Sequence, residues 1–300
     1  MTSSILRTRT WSMPLALTVA LVAGCAHAPA DIPPPATGTA AERWRDDVAA
    51  ISAASPEGRR LAIEARLTEG SFAWQAQPFT LDGEQGTNVL ARVAGDAEAP
   101  LLLLGAHYDR VDAGQGATDN ASGSAVVLAL AERFQARPLR HYRVAIAFWD
   151  LEERGLIGAR AYVEQGGERP AQYVNFDVFG WGDTVWMMTR EPEDTLVDAT
   201  RAASEALGLG LSAGDAYPPT DHLAFIKSGW PAVSYSLVGA DEIKGILAMY
   251  GGEHPPTPPR VMEVIHSEHD TVEKTDAVAA SRGVDAIEAA LRQWDAQAVP

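Results

Sequence analysis

The sequence predicts an α/β protein built as a three-layer α/β/α sandwich. Three observations predict it. Short apolar runs alternate with amphipathic segments from residue 40 to the end of the chain. The most apolar of these runs, Leu101-Leu-Leu-Leu104, is continuous, as in a strand covered on both faces. Acidic and histidine residues stand where several runs stop. Strands that alternate with helices pack as a sheet between two helical layers, and such sheets carry their chemistry at the carboxyl ends of the strands.

The first segment reads as an address. Arg7 and Arg9 precede an apolar run from Met13 to Ala23, interrupted at Pro14. The run is shorter than the roughly 20 apolar residues that span a bilayer and has the form of a secretory signal. It ends Val22-Ala23-Gly24-Cys25, and small residues directly before a cysteine resemble a bacterial lipobox. Residues 1–24 are therefore expected to act as a lipoprotein signal peptide, with Cys25 lipidated. Residues 25–39, rich in Ala and Pro, read as a tether. The expected location is the bacterial cell envelope, lipid-anchored and facing the periplasm or exterior. Ala26 supplies no acidic retention signal, which favours the outer membrane by analogy with other lipoproteins.

The remaining residues, 40–300, read as one catalytic domain. Apolar spacing predicts helix over 40–69, interrupted at Pro56, then strands over 72–80 and 88–93 joined by a glycine-containing turn. The run 101–104 is a buried strand, and 122–134 a helix with Val126, Leu130 and Phe134 on one face. Strands follow at 142–149, 173–176, 184–188 and 232–236, and helices at 155–165, 195–207 and 275–294.

Composition narrows the chemistry. The 300 residues carry a net charge of −16 and a single cysteine. An acidic surface repels phosphate backbones, so nucleic acid is not an expected partner. One cysteine forms neither an internal disulfide nor a thiolate-rich zinc site. Any metal must be held by His, Asp and Glu.

Candidates for that role stand at strand ends. His107 closes the run 101–107, and Asp109, two residues on, is placed to accept its free ring N–H and fix the tautomer. Asp119 lies before the helix at 122, where a carboxylate also serves as a cap. Glu152 and Glu153 follow the strand 142–149; side by side they repel, and a cation resolves the conflict. One of the two then binds metal while the other moves a proton. Asp177 ends the strand 173–176, and His266 and His269 lie in a loop before the last helix. Two histidines and three carboxylates make a nitrogen–oxygen site suited to zinc. Against the +4 of two Zn²⁺, Asp119, Glu153 and Asp177 supply −3 and a hydroxide the last −1. The chain contains no HExxH helix, nucleophile elbow, Walker loop or dinucleotide fingerprint.

At these residues the sequence resembles the co-catalytic di-zinc exopeptidases, the family of bacterial leucyl aminopeptidases and glutamate carboxypeptidases. The matching stretches are GAHYD (105–109), GATDNASG (116–123), DLEERGLIGA (150–159), NFD (175–177), TDHLAF…GWPA (220–232) and HSEHDT (266–271). The likeness covers roughly residues 85–295. It implies a mixed, mostly parallel sheet and two Zn²⁺ per chain. His107 and Asp177 would hold one ion, Glu153 and His266 the other, and Asp119 both. Glu152 would be the general base toward water held between the ions, and Asp109 the partner of His107. The resemblance also implies a cis peptide at Asp119-Asn120 and selects His266 over His269 as ligand.

The function implied is a secreted, lipid-anchored exopeptidase acting on peptides, an aminopeptidase first. A metallo-carboxypeptidase on the same scaffold remains open, because nothing in the sequence fixes which end of the peptide is bound. A non-catalytic binding module is the reading from another class, and the retained ligands and base speak against it. A single-zinc glutaminyl cyclase would keep fewer ligands, and His107 speaks against that. Tyr250 is a candidate donor to the reaction's oxyanion, and His222 a residue near the site. Trp181, Trp186, Tyr217 and Trp230 are read either as side-chain pocket or as core. His27, His141 and His254 are expected on the surface.

Overall fold

The computed structural model describes residues 38–52 and 55–298, together with Met1. The signal-peptide and lipidation assignments, Cys25 and His27 among them, lie outside the described residues. Residues 38–300 form one compact unit.

Two helices, α1 (Ala40–Ser52) and α2 (Pro56–Glu69), lead into a hairpin of β1 (Ala73–Leu81) and β2 (Glu84–Ala94). Ser55 caps α2 by accepting the Gly58 N–H at 3.2 Å, and Pro56 takes the first helical position, where no N–H is needed. The hairpin turn is Asp82-Gly83, both at positive φ, a turn whose twist matches that of the strands. The chain continues through β3 (Leu101–His107), α3 (Ser122–Ala136), β4 (Arg143–Trp149), α4 (Ile157–Glu164), β5 (Gln172–Phe176), β6 (Thr184–Met188) and α5 (Thr195–Ala206). It ends with β7 (Gly210–Gly214), α6 (His222–Lys227), β8 (Ala232–Val238), α7 (Ile243–Tyr250), α8 (Arg260–Val264) and α9 (Ala277–Gln297).

The strands form a single mixed sheet of eight in the order β1-β2-β4-β3-β5-β8-β6-β7. Its centre, β4, β3, β5 and β8, is parallel, and the β1–β2 hairpin joins β4 antiparallel. β6 runs against β8 and parallel to β7. The two faces divide the residues of β3. Leu102, Leu104 and Ala106 pack with α1, α3 and α9 residues such as Val48, Val127 and Ile287. Leu101 and Leu103 face Tyr162 of α4 and Phe225 of α6. Each fully buried leucine contributes about 1.5–3 kcal/mol. The continuous apolar run and the three-layer architecture thus have one cause: both faces of the strand are covered.

Two helices begin later than the sequence expectation. The helix expected from 155 begins at Ile157, because Gly155 and Leu156 both adopt positive φ in the turn that precedes it. The last helix begins at Ala277 rather than 275, with the Asp276 carboxylate accepting the N–H groups of Val278 and Ala279. Strand β7 and helices α6, α7 and α8 were not anticipated. β7 is a five-residue edge strand with two glycines, and α6 and α8 are too short to show a helical period. His141 is half-buried rather than on the surface, with its Nδ1 2.8 Å from the Asp295 carbonyl, whereas His254 is exposed. Among the described residues no helix is long and apolar enough to cross a membrane.

Candidate metal centre

Parallel pairing brings three strand ends together. His107 is in register with Trp149 of β4, and Gly105 with Asn175 of β5. Two residues further along each strand, His107 stands beside Asp177, while the turn after Trp149 delivers Glu152 and Glu153. Asp119 arrives from the turn Ala117–Ala121 that opens α3, and His266 from the loop after α8.

The side chains form two clusters that share one residue. His107, Asp119 and Asp177 place a ligand atom each within 4.8 Å of one another, and so do Asp119, Glu153 and His266. Asp119 turns Oδ1 toward the Nε2 of His107 at 3.2 Å and Oδ2 toward the Nε2 of His266 at 3.0 Å. His107 Nε2 also lies 3.4 Å from Asp177 Oδ1, and His266 Nε2 3.1 Å from Glu153 Oε2. His269 is exposed and belongs to neither cluster.

This set demands positive charge. Burial opposes ionisation of His107, but Glu152, Asp109, Asp119 and Asp177 outweigh it and hold its pKa well above the ordinary value. Asp119 and Glu153 push His266 up to about 11. Burial works against the Asp119 carboxylate, yet the two histidines keep its pKa low. Buried polar atoms point the same way. His107 Nε2, Glu153 Oε1 and Asp177 Oδ1 are buried without a hydrogen-bond partner. Imidazole nitrogens and carboxylate oxygens in sets of three, joined through one carboxylate, are the donors that zinc takes. The residues present therefore fit a pair of such ions.

Supporting bonds fix these side chains. Asp109 lies 3.2 Å from His107 Nδ1 and accepts the backbone N–H groups of Glu152 and Glu153 at 3.0 and 3.2 Å. Asn120 donates to the Phe176 carbonyl at 2.9 Å and accepts the Gly123 N–H, and the Asp119-Asn120 peptide is cis. Ser124 donates to the His107 carbonyl at 3.1 Å; Ser122 donates to Thr118 and accepts the Phe179 N–H. Non-glycine residues at positive φ border the cluster: Leu151 before Glu152, Val178 after Asp177, and His266 itself. A β-branched residue at positive φ is held there by its surroundings. No sequence pattern announces this.

Two buried carboxylates escaped assignment from the sequence, though both lie in quoted motifs. Asp270 accepts the Thr118 and Asp119 N–H groups at 2.6 and 3.1 Å. Asp221 is wholly buried with neither oxygen bonded, and burial raises its pKa well above normal, aided by Asp109, Asp177 and Glu153 against His107. Next to it, His222 is buried and its pKa falls to about 4, so it stays neutral. The half-buried Glu152 belongs to neither cluster; burial first, then Asp221, Asp177 and Asp119, raise its pKa well above the usual value against the pull of His107. Tyr250 ends α7 exposed by 47%, and the site's carboxylates add to burial in raising its pKa. The aromatic residues divide: Trp181, Trp186 and Tyr217 pack with α7 and α8, whereas Trp230 joins the core under β3.

Comparison with known proteins bears on this arrangement. The profile of Peptidase family M28 matches residues 88–291. Leupeptin-inactivating enzyme 1 of Streptomyces exfoliatus is 32% identical over 61% of this chain and 42% of its own length. A probable lipoprotein aminopeptidase, LpqL, of Mycobacterium tuberculosis is 41% identical over 30% of this chain and 19% of its own. The chain thus spans less than half the length of these relatives. Among solved structures, a zinc aminopeptidase from Bacillus subtilis superposes with a TM-score of 0.57 at 20% identity, covering 70% of this chain and 50% of that one. A glutaminyl cyclase from Porphyromonas gingivalis superposes with a TM-score of 0.66 at 19% identity, covering 86% and 98%. At these identities the superpositions establish a shared fold.

Proposed function

Because the chain belongs to peptidase family M28, we propose that it is a two-zinc exopeptidase that removes residues from the amino end of peptides. The observation that carries this reading is Asp119, whose two oxygens face two separate sets of zinc-type ligands, with Glu152 adjacent but in neither set. His107 and Asp177 would hold one ion, Glu153 and His266 the other, and Asp119 both. When bound, the ions polarise the scissile carbonyl and acidify water.

The chain's own residues do the rest. Asp109 holds the Nδ1–H of His107, so that Nε2 presents its lone pair. Glu152 receives the proton of the attacking water on its carboxylate and returns it to the leaving amine. A glutamate at this position with a free carboxylate favours hydrolysis over mere metal storage.

Unblocked peptides incubated with the zinc-loaded protein and followed by mass test the reading. Loss of residues from the amino end, stopped by chelator and restored by zinc, is expected. Shortening from the carboxyl end would keep the centre but make the protein a carboxypeptidase. Intact peptides with two zincs bound would refute peptide hydrolysis and favour a binding role.

We further infer that the protein is anchored in the cell envelope through lipid on Cys25. The run Val22-Ala23-Gly24-Cys25 supports this, as does the description of one relative as a lipoprotein aminopeptidase. A mature chain whose first residue is acylated Cys25 is the expected mass; an unmodified Cys25 within a longer chain would refute it.

A further inference from the structure

Arg59 lies on α2, before the stretch that the family profile matches, yet its side chain ends beneath the metal loop. It is wholly buried. The guanidinium makes three bonds, all to backbone carbonyls. Nε donates to Tyr108, Nη1 to Gln115 at 2.9 Å and Nη2 to Gly116 at 3.2 Å. These acceptors bracket the loop between His107 and Asp119. Gly116 is held at φ 59°, and its carbonyl also accepts the Ala121 N–H.

The other side of the loop is gripped by acceptors. Asp270 takes the N–H groups of Thr118 and Asp119, and its own carbonyl takes that of Gln115 at 2.7 Å. The loop is therefore clamped between a fork of donors on its carbonyls and a carboxylate on its amides. A buried cation bonded only to carbonyls is costly. Here it lies in the field of Asp109, Asp119 and Asp270, which offsets part of its burial; its pKa falls only to about 10, so it stays charged.

We propose that Arg59 is a positioning residue: its guanidinium sets the 108–119 loop so that Asp119 faces both metal sites, making the amino-terminal helices part of the centre. The inference rests on the two-zinc reading above. Three carbonyls in different directions need a planar fork of N–H groups, which a lysine ammonium on a single stem does not reproduce.

The test compares the full chain with Arg59→Lys and Arg59→Met. Zinc affinity is read by chelator competition, kcat and KM on a peptide, and amide hydrogen exchange over 108–121 with and without chelator. Displaced ligands of this kind weaken metal binding about 10–100-fold. Arg59→Met is expected to lose zinc affinity on that scale and to lower kcat with KM nearly unchanged. Its loop amides should exchange faster even in chelator, while those of β3 and β5 stay protected. Arg59→Lys should regain part of the affinity through its charge and little of the loop protection. Parental affinity, kcat and loop protection in both variants would overturn the proposal. So would faster exchange spread evenly over sheet and loop, with affinity per folded molecule unchanged. Should both variants fail to fold, the unaltered protein decides: in chelator its loop amides must exchange as slowly as those of β3, and faster exchange overturns the proposal. If the unaltered protein neither binds zinc nor cleaves peptide, the functional reading fails, while loop protection in the variants still decides the role of Arg59.

Discussion

Asp109 stands 3.2 Å from the ring Nδ1 of His107, and the same carboxylate accepts the N–H groups of Glu152 and Glu153. One side chain thus orients the histidine of the first cluster, a carboxylate of the second and the proposed base. Asp109→Asn removes the charge and turns one acceptor into a donor that faces backbone N–H groups. Zinc affinity is expected to fall about 10–100-fold. Competition with a chromogenic chelator measures it; parental affinity in Asp109→Asn would detach this residue from the centre.

Asp119 is the one residue common to both clusters. Asp119→Ala should therefore lower zinc content toward none per chain, whereas Asp177→Ala should remove about one ion and spare the other. Elemental analysis after dialysis distinguishes the two. Equal loss in both variants would contradict a shared carboxylate.

Glu152 belongs to neither cluster, so Glu152→Gln should keep its zinc. Turnover should fall by about 10²–10⁴, the usual contribution of a positioned acid–base group. Stopped assays on the zinc-replete variant give the number, and a rate within a few-fold of the parent protein would assign the proton transfer to another group.

The parts of this molecule that were legible in the sequence are those whose physics is local. Leu101-Leu-Leu-Leu104 signals a strand covered on both faces, and covered it is. The acids and histidines after β3, β4 and β5 converge because parallel neighbours end on the same side of the sheet. What stayed hidden depends on distant partners. Asp270 meets the Thr118 N–H across 152 positions of sequence, and Arg59 meets the Gly116 carbonyl across 57. Nothing in the sequence around Asp221 marks it out; only its complete burial sets it apart. The positive φ of Val178 contradicts its own local preference, so no propensity argument reaches it.

Close packing behind the centre gives a further expectation. A Cβ added at Gly123 would lie 2.4 Å from Asn120 Oδ1 and 2.5 Å from the Phe176 carbonyl. Both belong to the ties that seat Asp119 against β5. Gly123→Ala should destabilise the fold by about 1–3 kcal/mol, as overpacking does. Zinc affinity should drop with it, because the displaced Asn120 is bonded next to Asp119. Chemical denaturation paired with chelator competition checks both effects.

The helical layer opposite α4 and α6 offers a test in pH. Glu288 of α9 bonds Arg292 at 2.7 Å and Arg133 of α3 at 3.0 Å, with Arg137 3.4 Å away. Burial works against its charge, but Arg133 and Arg292 prevail and its pKa lies below the ordinary glutamate value. A carboxyl whose pKa is depressed on folding stabilises the fold above its unfolded pKa. That contribution is lost as pH falls through the folded value. Glu288→Gln should therefore be less stable than the parent at pH 7 by about 0.5–1 kcal/mol, the upper range for partly exposed pairs. The gap should stay constant down to about pH 5 and close only below about pH 4, where the parent glutamate also becomes neutral. Denaturant titrations of both proteins across that range measure the gap directly, and a difference that persists at pH 3 would trace the effect to packing rather than charge.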